Sequence, residues 1–138
     1  MAGFRLVKNM NEVVREVVRI ASQAYTIGDA VMRQTSADAT EVIPATSATT
    51  TDTIYGIADQ TVASSATTLE VIVIEPSQVW ECETANTVTT DDNFQKMVLT
   101  DVDTVNNTHA DSVTDQAIVL QVGVSGAKGL FKFRGDAT

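Results

Sequence analysis

The sequence predicts an all-β fold: a compact antiparallel β-barrel or sandwich of about nine short strands, with long polar loops and an extended N-terminal arm. Three observations carry this. Thr and Val are abundant, and their β-branched side chains suit a pleated surface better than a helix. Short apolar runs recur about every ten residues with turn residues between them, too close for strand–helix–strand units. Hydrophobic residues make up 43% of the chain and charged residues 20%, so a packed body is expected rather than disorder.

The elements follow in order. The first strand is expected at Val14–Ala21. Here Asn11–Ile20 also fits helical spacing, with Val13, Val14, Val17 and Val18 on one side and Glu12, Arg15, Glu16 and Arg19 on the other. Every apolar residue in it is β-branched, which favours the extended form. Further strands are expected at Asp29–Gln34, launched by the Gly28-Asp29 turn pair, and at Thr40–Pro44, where Pro44 marks an end or edge. Thr53–Asp59 contains Gly56, which signals a bulge or a close approach of another backbone. Leu69–Glu75, Gln78–Glu83, Lys96–Thr100, Ala117–Val124 and Leu130–Arg134 complete the set, the last two joined by a hairpin at Gly126–Gly129. Thr35–Thr53, Ala63–Thr68, Asn86–Asn93 and Val102–Thr114 read as loops. Met1–Met10 reads as an arm with no clear partner strand. The organisation expected is therefore an arm at 1–12 and one β domain at 13–138.

Charge is unevenly placed. Between Gln34 and Ala127 there are fourteen acidic residues and one basic one, Lys96, while the other eight basic residues sit near the two ends, for a net charge of −9. An acidic body repels nucleic acid and anionic membrane, so neither is expected as a partner. A body facing solvent with basic ends gripping something larger is the arrangement this pattern suggests. Cys82 is the single cysteine, which rules out an intrachain disulfide. Met1–Val18 lacks the apolar core of a signal peptide and no stretch has the length of a membrane helix, so synthesis in a host cytoplasm is expected.

Candidate chemistry is sparse. His109 is the only histidine and lies in the polar loop Asn106–Asp111, where it reads as solvated. With Cys82 it falls short of the three or four ligands of a zinc site. Asp101-Val102-Asp103-Thr104-Val105 fits the pattern of an aspartyl nucleophile, but that chemistry needs a parallel α/β sheet to present the loop. The same segment fails as an EF-hand, having Asn106 and Ser112 where Gly and Glu are required. Asp91 and Asp92 are adjacent and read as a turn before Phe94. Gly123–Gly129 lacks the order of a phosphate loop. Trp80 reads as a core residue with its indole N–H bonded, with an interface anchor as the rival role. No catalytic residue, cofactor, metal or small-molecule substrate is expected.

Several short motifs occur in a suggestive order: Ile27-Gly28-Asp29-Ala30-Val31, Val42-Ile43-Pro44-Ala45-Thr46, Ile54-Tyr55-Gly56-Ile57-Ala58 and Gln121-Val122-Gly123-Val124, preceded by Met1-Ala2-Gly3-Phe4-Arg5. From about Arg15 to Arg134 the chain resembles the capsid decoration (cement, head-stabilising) proteins of tailed bacteriophages. The resemblance implies a barrel-like body without catalysis. It implies binding to the major capsid protein on the outer surface of the virion, where several subunits meet, and contact with copies of itself, a trimer among the allowed arrangements. The N-terminal arm would lie across a capsid subunit. The capsid-contact residues expected on this reading are Phe4, Arg5, Leu6, Lys8, Arg15 and Arg19. The competing expectation is another virion β module, from a tail, a fibre or a carbohydrate-binding domain.

Overall fold

The computed structural model describes residues 3–9, 12–21, 23–33, 40–45, 54–107 and 119–133. Among these residues the chain forms β1 (Arg5–Lys8), β2 (Arg15–Arg19), β3 (Ala30–Arg33), β4 (Val42–Pro44), β5 (Ile54–Ala58), β6 (Thr68–Val73), β7 (Val79–Thr84), β8 (Lys96–Asp101), β9 (Thr104–Asn106), β10 (Val119–Ser125) and β11 (Lys128–Phe133). A single 3₁₀ turn, Thr90–Asp92, is the only helical element among them. The all-β expectation holds, and each of the nine expected strands overlaps an observed one, with ends that differ by at most two residues.

Two sheets result. The first is six-stranded, in the order β1-β7-β11-β10-β8-β9, with β9 also pairing with β7 in parallel at Glu83–Thr84. That pairing brings β7, β11, β10, β8 and β9 round into a closed ring, while β1 lies antiparallel along Val79–Glu81 of β7. The second sheet is five-stranded and antiparallel, in the order β2-β6-β5-β3-β4, and an isolated bridge between Ile20 and Val42 links its two outer strands. Closure of the β7-β11-β10-β8-β9 ring leaves those five strands without a free edge that could template pairing with other chains.

Period-two alternation explains the cores. In β3, Met32 faces the main core with Phe4, Ile57, Trp80, Phe131 and Phe133, while Val31 faces a second cluster with Ile20, Tyr25, Leu69 and Val71. In β5, Ile57 and Ala58 divide in the same way. The second sheet is thus covered on both faces, and this is why Ile54–Ala58 is apolar almost throughout. Gly56 meets both expectations: the register shifts beside it, between Val31 and Met32, and a Cβ there would lie 2.8 Å from the Ile72 carbonyl oxygen. The β10–β11 hairpin turns through Gly126 and Ala127, between the paired Ser125 and Lys128, with Gly126 at φ 60°.

The N-terminal arm is corrected by the structure. Residues 5–8 are a strand of the first sheet, and Phe4 is 3% exposed, its ring 4.9 Å from that of Phe133. The anchor is a glycine crossing. Gly3 and Gly28 have φ of 99° and 98°, and their backbones approach so closely that a Cβ on Gly3 would lie 3.0 Å from the Gly28 Cα. The Phe4 N–H donates to the Gly28 carbonyl at 2.9 Å, and the Gly28 N–H to that of Ala58 at 2.9 Å. Only glycine reaches this backbone conformation without strain.

One expectation is met and two readings change. The extended form favoured for Asn11–Ile20 is found, with Arg15–Arg19 paired against Thr68–Ile72. Thr104–Asn106, read as loop, is β9, because Val105 is fully buried and supplies the apolar contact that fixes it. Trp80 is 1% exposed as expected, but its indole N–H finds no acceptor among the described residues, and its ring packs edge-on against Phe133, centroids 6.1 Å apart.

Candidate docking surface

The six expected contact residues divide between β1 and β2 and do not form one exposed set. Phe4 points into the core, and Leu6 is half-buried against it. Neither is free to meet a partner, because alternation along β1 turns Phe4 and Leu6 inward and Arg5 and Val7 outward. Arg5, Lys8, Arg15 and Arg19 are exposed.

The basic ends also behave differently from the expectation of a free cationic grip. Arg5 Nη2 lies 3.0 Å from Glu81 Oε1, and Lys128 Nζ approaches the same oxygen at 4.0 Å. The two ends of the chain therefore meet on one carboxylate of β7. The Arg5 hydrogen bond holds the Glu81 carboxyl below the usual range for glutamate. Arg15 Nε donates to Asp59 Oδ2 at 2.7 Å. Lys8 and Arg19 form no ion pair with a described residue.

Among the described residues, an edge of β2 remains open. The Val14 carbonyl accepts from the Val73 N–H at 2.9 Å, and the Ile20 N–H donates to the Thr67 carbonyl at 3.0 Å. In an antiparallel ladder hydrogen-bonded positions alternate, so Val14, Glu16, Val18 and Ile20 bond toward β6. Arg15, Val17 and Arg19 then direct their backbone N–H and C=O groups away from it. The Ile20–Val42 bridge covers the Arg19 end of that edge. Along Arg15 and Val17 no described strand pairs. Val17 is 67% exposed, between the two arginines, whereas Glu16 on the other face accepts a hydrogen bond from the Tyr55 hydroxyl at 2.5 Å.

Comparison with protein-family models and with curated proteins finds no match to this chain.

The residues weighed for catalysis are placed as follows. Asp101 and Asp103 flank the turn between β8 and β9, an antiparallel hairpin, so the aspartyl-nucleophile geometry is absent there. The Cys82 thiol is buried and donates to the Asp103 carbonyl at 3.3 Å; burial pushes its pKa up, which keeps it a neutral thiol. No group of three or more His, Cys, Asp or Glu side chains among the described residues is arranged to hold a metal ion. His109 and Arg134 lie outside the described residues. No helix among the described residues is long and apolar enough to cross a membrane.

Asp29 supplies a prediction about pH. Its Oδ2 accepts from the Thr26 N–H at 2.9 Å, closing the turn that carries Gly28. Burial raises its pKa, and the charges of Asp103 and Asp101 raise it further, against the lowering effect of the Thr26 bond. A carboxyl with a raised folded-state pKa holds its proton more tightly folded than unfolded. Ionising it at neutral pH therefore costs stability, and stability from this group is regained as the pH falls through the folded pKa toward 3.8. Asp29→Asn keeps an acceptor for Thr26 and removes the charge. It is expected to raise the thermal midpoint at pH 7 and to flatten that part of the pH profile. A lower midpoint at pH 7 would show that the carboxylate is needed for the turn.

Proposed function

We propose that this protein is a capsid decoration protein of a tailed phage, binding the outer surface of the major capsid protein lattice at subunit junctions and stabilising the expanded head. The observation that carries the reading is the open edge of β2. It offers outward backbone groups at Arg15 and Val17, an exposed valine and an Arg19 that forms no ion pair with a described residue, which suits the addition of a strand from a neighbouring protein. Self-pairing is discouraged at this edge. A two-fold antiparallel pairing about Val17 would set Arg15 opposite Arg19 of the second copy, and like charges directly opposed are destabilising. An extended segment of a different protein, apolar opposite Val17 and carrying an acidic side chain within reach of Arg19, meets no such penalty. The order of the motifs that resemble those of decoration proteins, and the acidic body, support the same reading. Many weak attachments repeated over a lattice add up to a large effect on the shell.

The test is co-sedimentation of the purified protein with expanded, undecorated heads. The wild type is expected to pellet with the heads, and Val17→Pro to bind at least about tenfold more weakly. Proline suits this position as a probe because the Val17 N–H points away from β6, so no internal ladder bond is lost. Wild-type protein left in the supernatant rejects the decoration role. Binding by Val17→Pro at the wild-type level rejects the β2 edge as the point of attachment.

A further inference from the structure

The segment Thr89–Gln95 presents one aromatic ring in an unusual way. Phe94 is 75% exposed, the most exposed large apolar residue among those described. It is also the only described non-glycine residue with positive φ, at 68°. The left-handed region is uncommon for a bulky side chain, and Gly or Asn occupies it at less cost. The position is therefore unfavourable twice for phenylalanine, once through its backbone and once through its wetted ring.

The turn leaves the residue no relief. The Thr89 hydroxyl accepts from the Asp91 N–H at 3.2 Å, and the Asp92, Asn93 and Gln95 N–H groups donate to the carbonyls of Thr89, Thr90 and Asp92 at 3.2, 3.1 and 3.0 Å. The Phe94 N–H donates to the Gln121 carbonyl at 2.7 Å. The Gln121 side chain is fully buried, and its Nε2 bridges the Thr89 carbonyl at 2.8 Å and Asn93 Oδ1 at 2.9 Å. A polar network reaching into the barrel thus fixes the backbone of the loop from below, and the ring stands out in water. Strained residues persist where the surroundings over-determine them, and they cluster at binding and switch sites.

We infer that Phe94 is a preformed docking knob that enters an apolar pocket with a basic rim on the capsid lattice subunit. The inference rests on the decoration reading and adds a second point of attachment to it. A rigid aromatic anchor loses little conformational freedom on binding, and such residues tend to dominate interface energetics. Asp91 and Asp92 stand in the same turn, so Lys or Arg around the pocket complements them. A second copy of this chain fits less well as the occupant, because each copy carries a net charge of −9. A glycan surface asks for a platform of several aromatics, and Phe94 is the only exposed one among the described residues.

Phe94→Gly separates a docking role from a structural one. Glycine relieves the positive φ and removes the ring, so the thermal midpoint is expected to rise by about 3 °C. Co-sedimentation with undecorated heads is expected to weaken at least about tenfold. Wild-type binding by Phe94→Gly overturns the inference while leaving the decoration role intact. Weaker binding accompanied by a lower midpoint also overturns it, since the ring would then be serving the fold. Sedimentation velocity of the isolated protein is the control. Oligomers that Phe94→Gly dissociates would assign the pocket to a second copy and overturn the lattice assignment. Failure of the wild type to bind heads removes the parent reading and this one together, and that arm involves no variant.

Discussion

Phe4→Ala is expected to destabilise the protein by about 3–5 kcal/mol, the range for deleting a buried phenylalanine ring. The ring is 3% exposed and packs on Phe133, which in turn meets Trp80 edge-on. The loss is a large share of the about 5–15 kcal/mol that stabilises a typical domain. Arg5→Ala, one residue on, is expected to cost no more than about 1 kcal/mol, because the Arg5 side chain is 63% exposed and Lys128 remains beside Glu81. Urea unfolding of the two variants checks the contrast. An unchanged midpoint for Phe4→Ala would return residues 3–8 to the status of a detachable arm. If the result is as expected, deleting the N-terminus to test its role in binding removes a core residue, and the outcome cannot be read as the loss of a contact.

Gly56→Ala is expected to cost about 2–3 kcal/mol, as overpacking of a tight site does. A Cβ at Gly56 would lie 2.8 Å from the Ile72 carbonyl oxygen and 3.1 Å from Val71 Cγ2. The nearest obstacle is backbone, which cannot rotate aside. Gly56 also sits between β3 and β6, opposite Val31 and Val73, so movement on one side disturbs the other. The check is a lower urea midpoint at an unchanged denaturant slope. A midpoint equal to wild type would mean that β5 and β6 can separate without cost. At Gly126 nothing lies within 4 Å of a would-be Cβ, so an alanine there meets only the strain of its positive φ.

Much of the fold could be read from residue order because strands announce themselves locally. Val and Thr runs broken by turn residues located nine of the strands. The Gly126-Ala127 hairpin and the crowding at Gly56 follow from what glycine alone can do. The ambiguous Asn11–Ile20 resolved toward a strand because β-branched side chains lose freedom in a helix and because β6 was available to pair with it. β1 and β9 stayed hidden for a related reason. Each is short. β1 depends on a partner far away in sequence, as in the contact between Arg5 and Glu81, 76 positions apart, and β9 offers only Val105 as an apolar signal within a polar stretch.

The candidate surface was less legible than the fold. Reading Phe4 and Leu6 as contacts assumed that an N-terminal segment without an obvious partner hangs free, whereas the Gly3–Gly28 crossing pins it to the body. Counting basic residues at the ends could not show that Arg5 and Lys128 converge on Glu81. Phe94 was visible as a residue after a turn, but its positive φ is set by Gln121, on a strand more than twenty positions later.

Composition, alternation and turn chemistry by themselves determined an acidic all-β chain and the approximate place of most of its strands, since these depend on nearest neighbours. Only the tertiary structure decided which strand edges stay open, which charges neutralise one another and which aromatic ring stands in water. Those outcomes depend on residues distant in sequence coming within a few ångströms, and no local pattern encodes that.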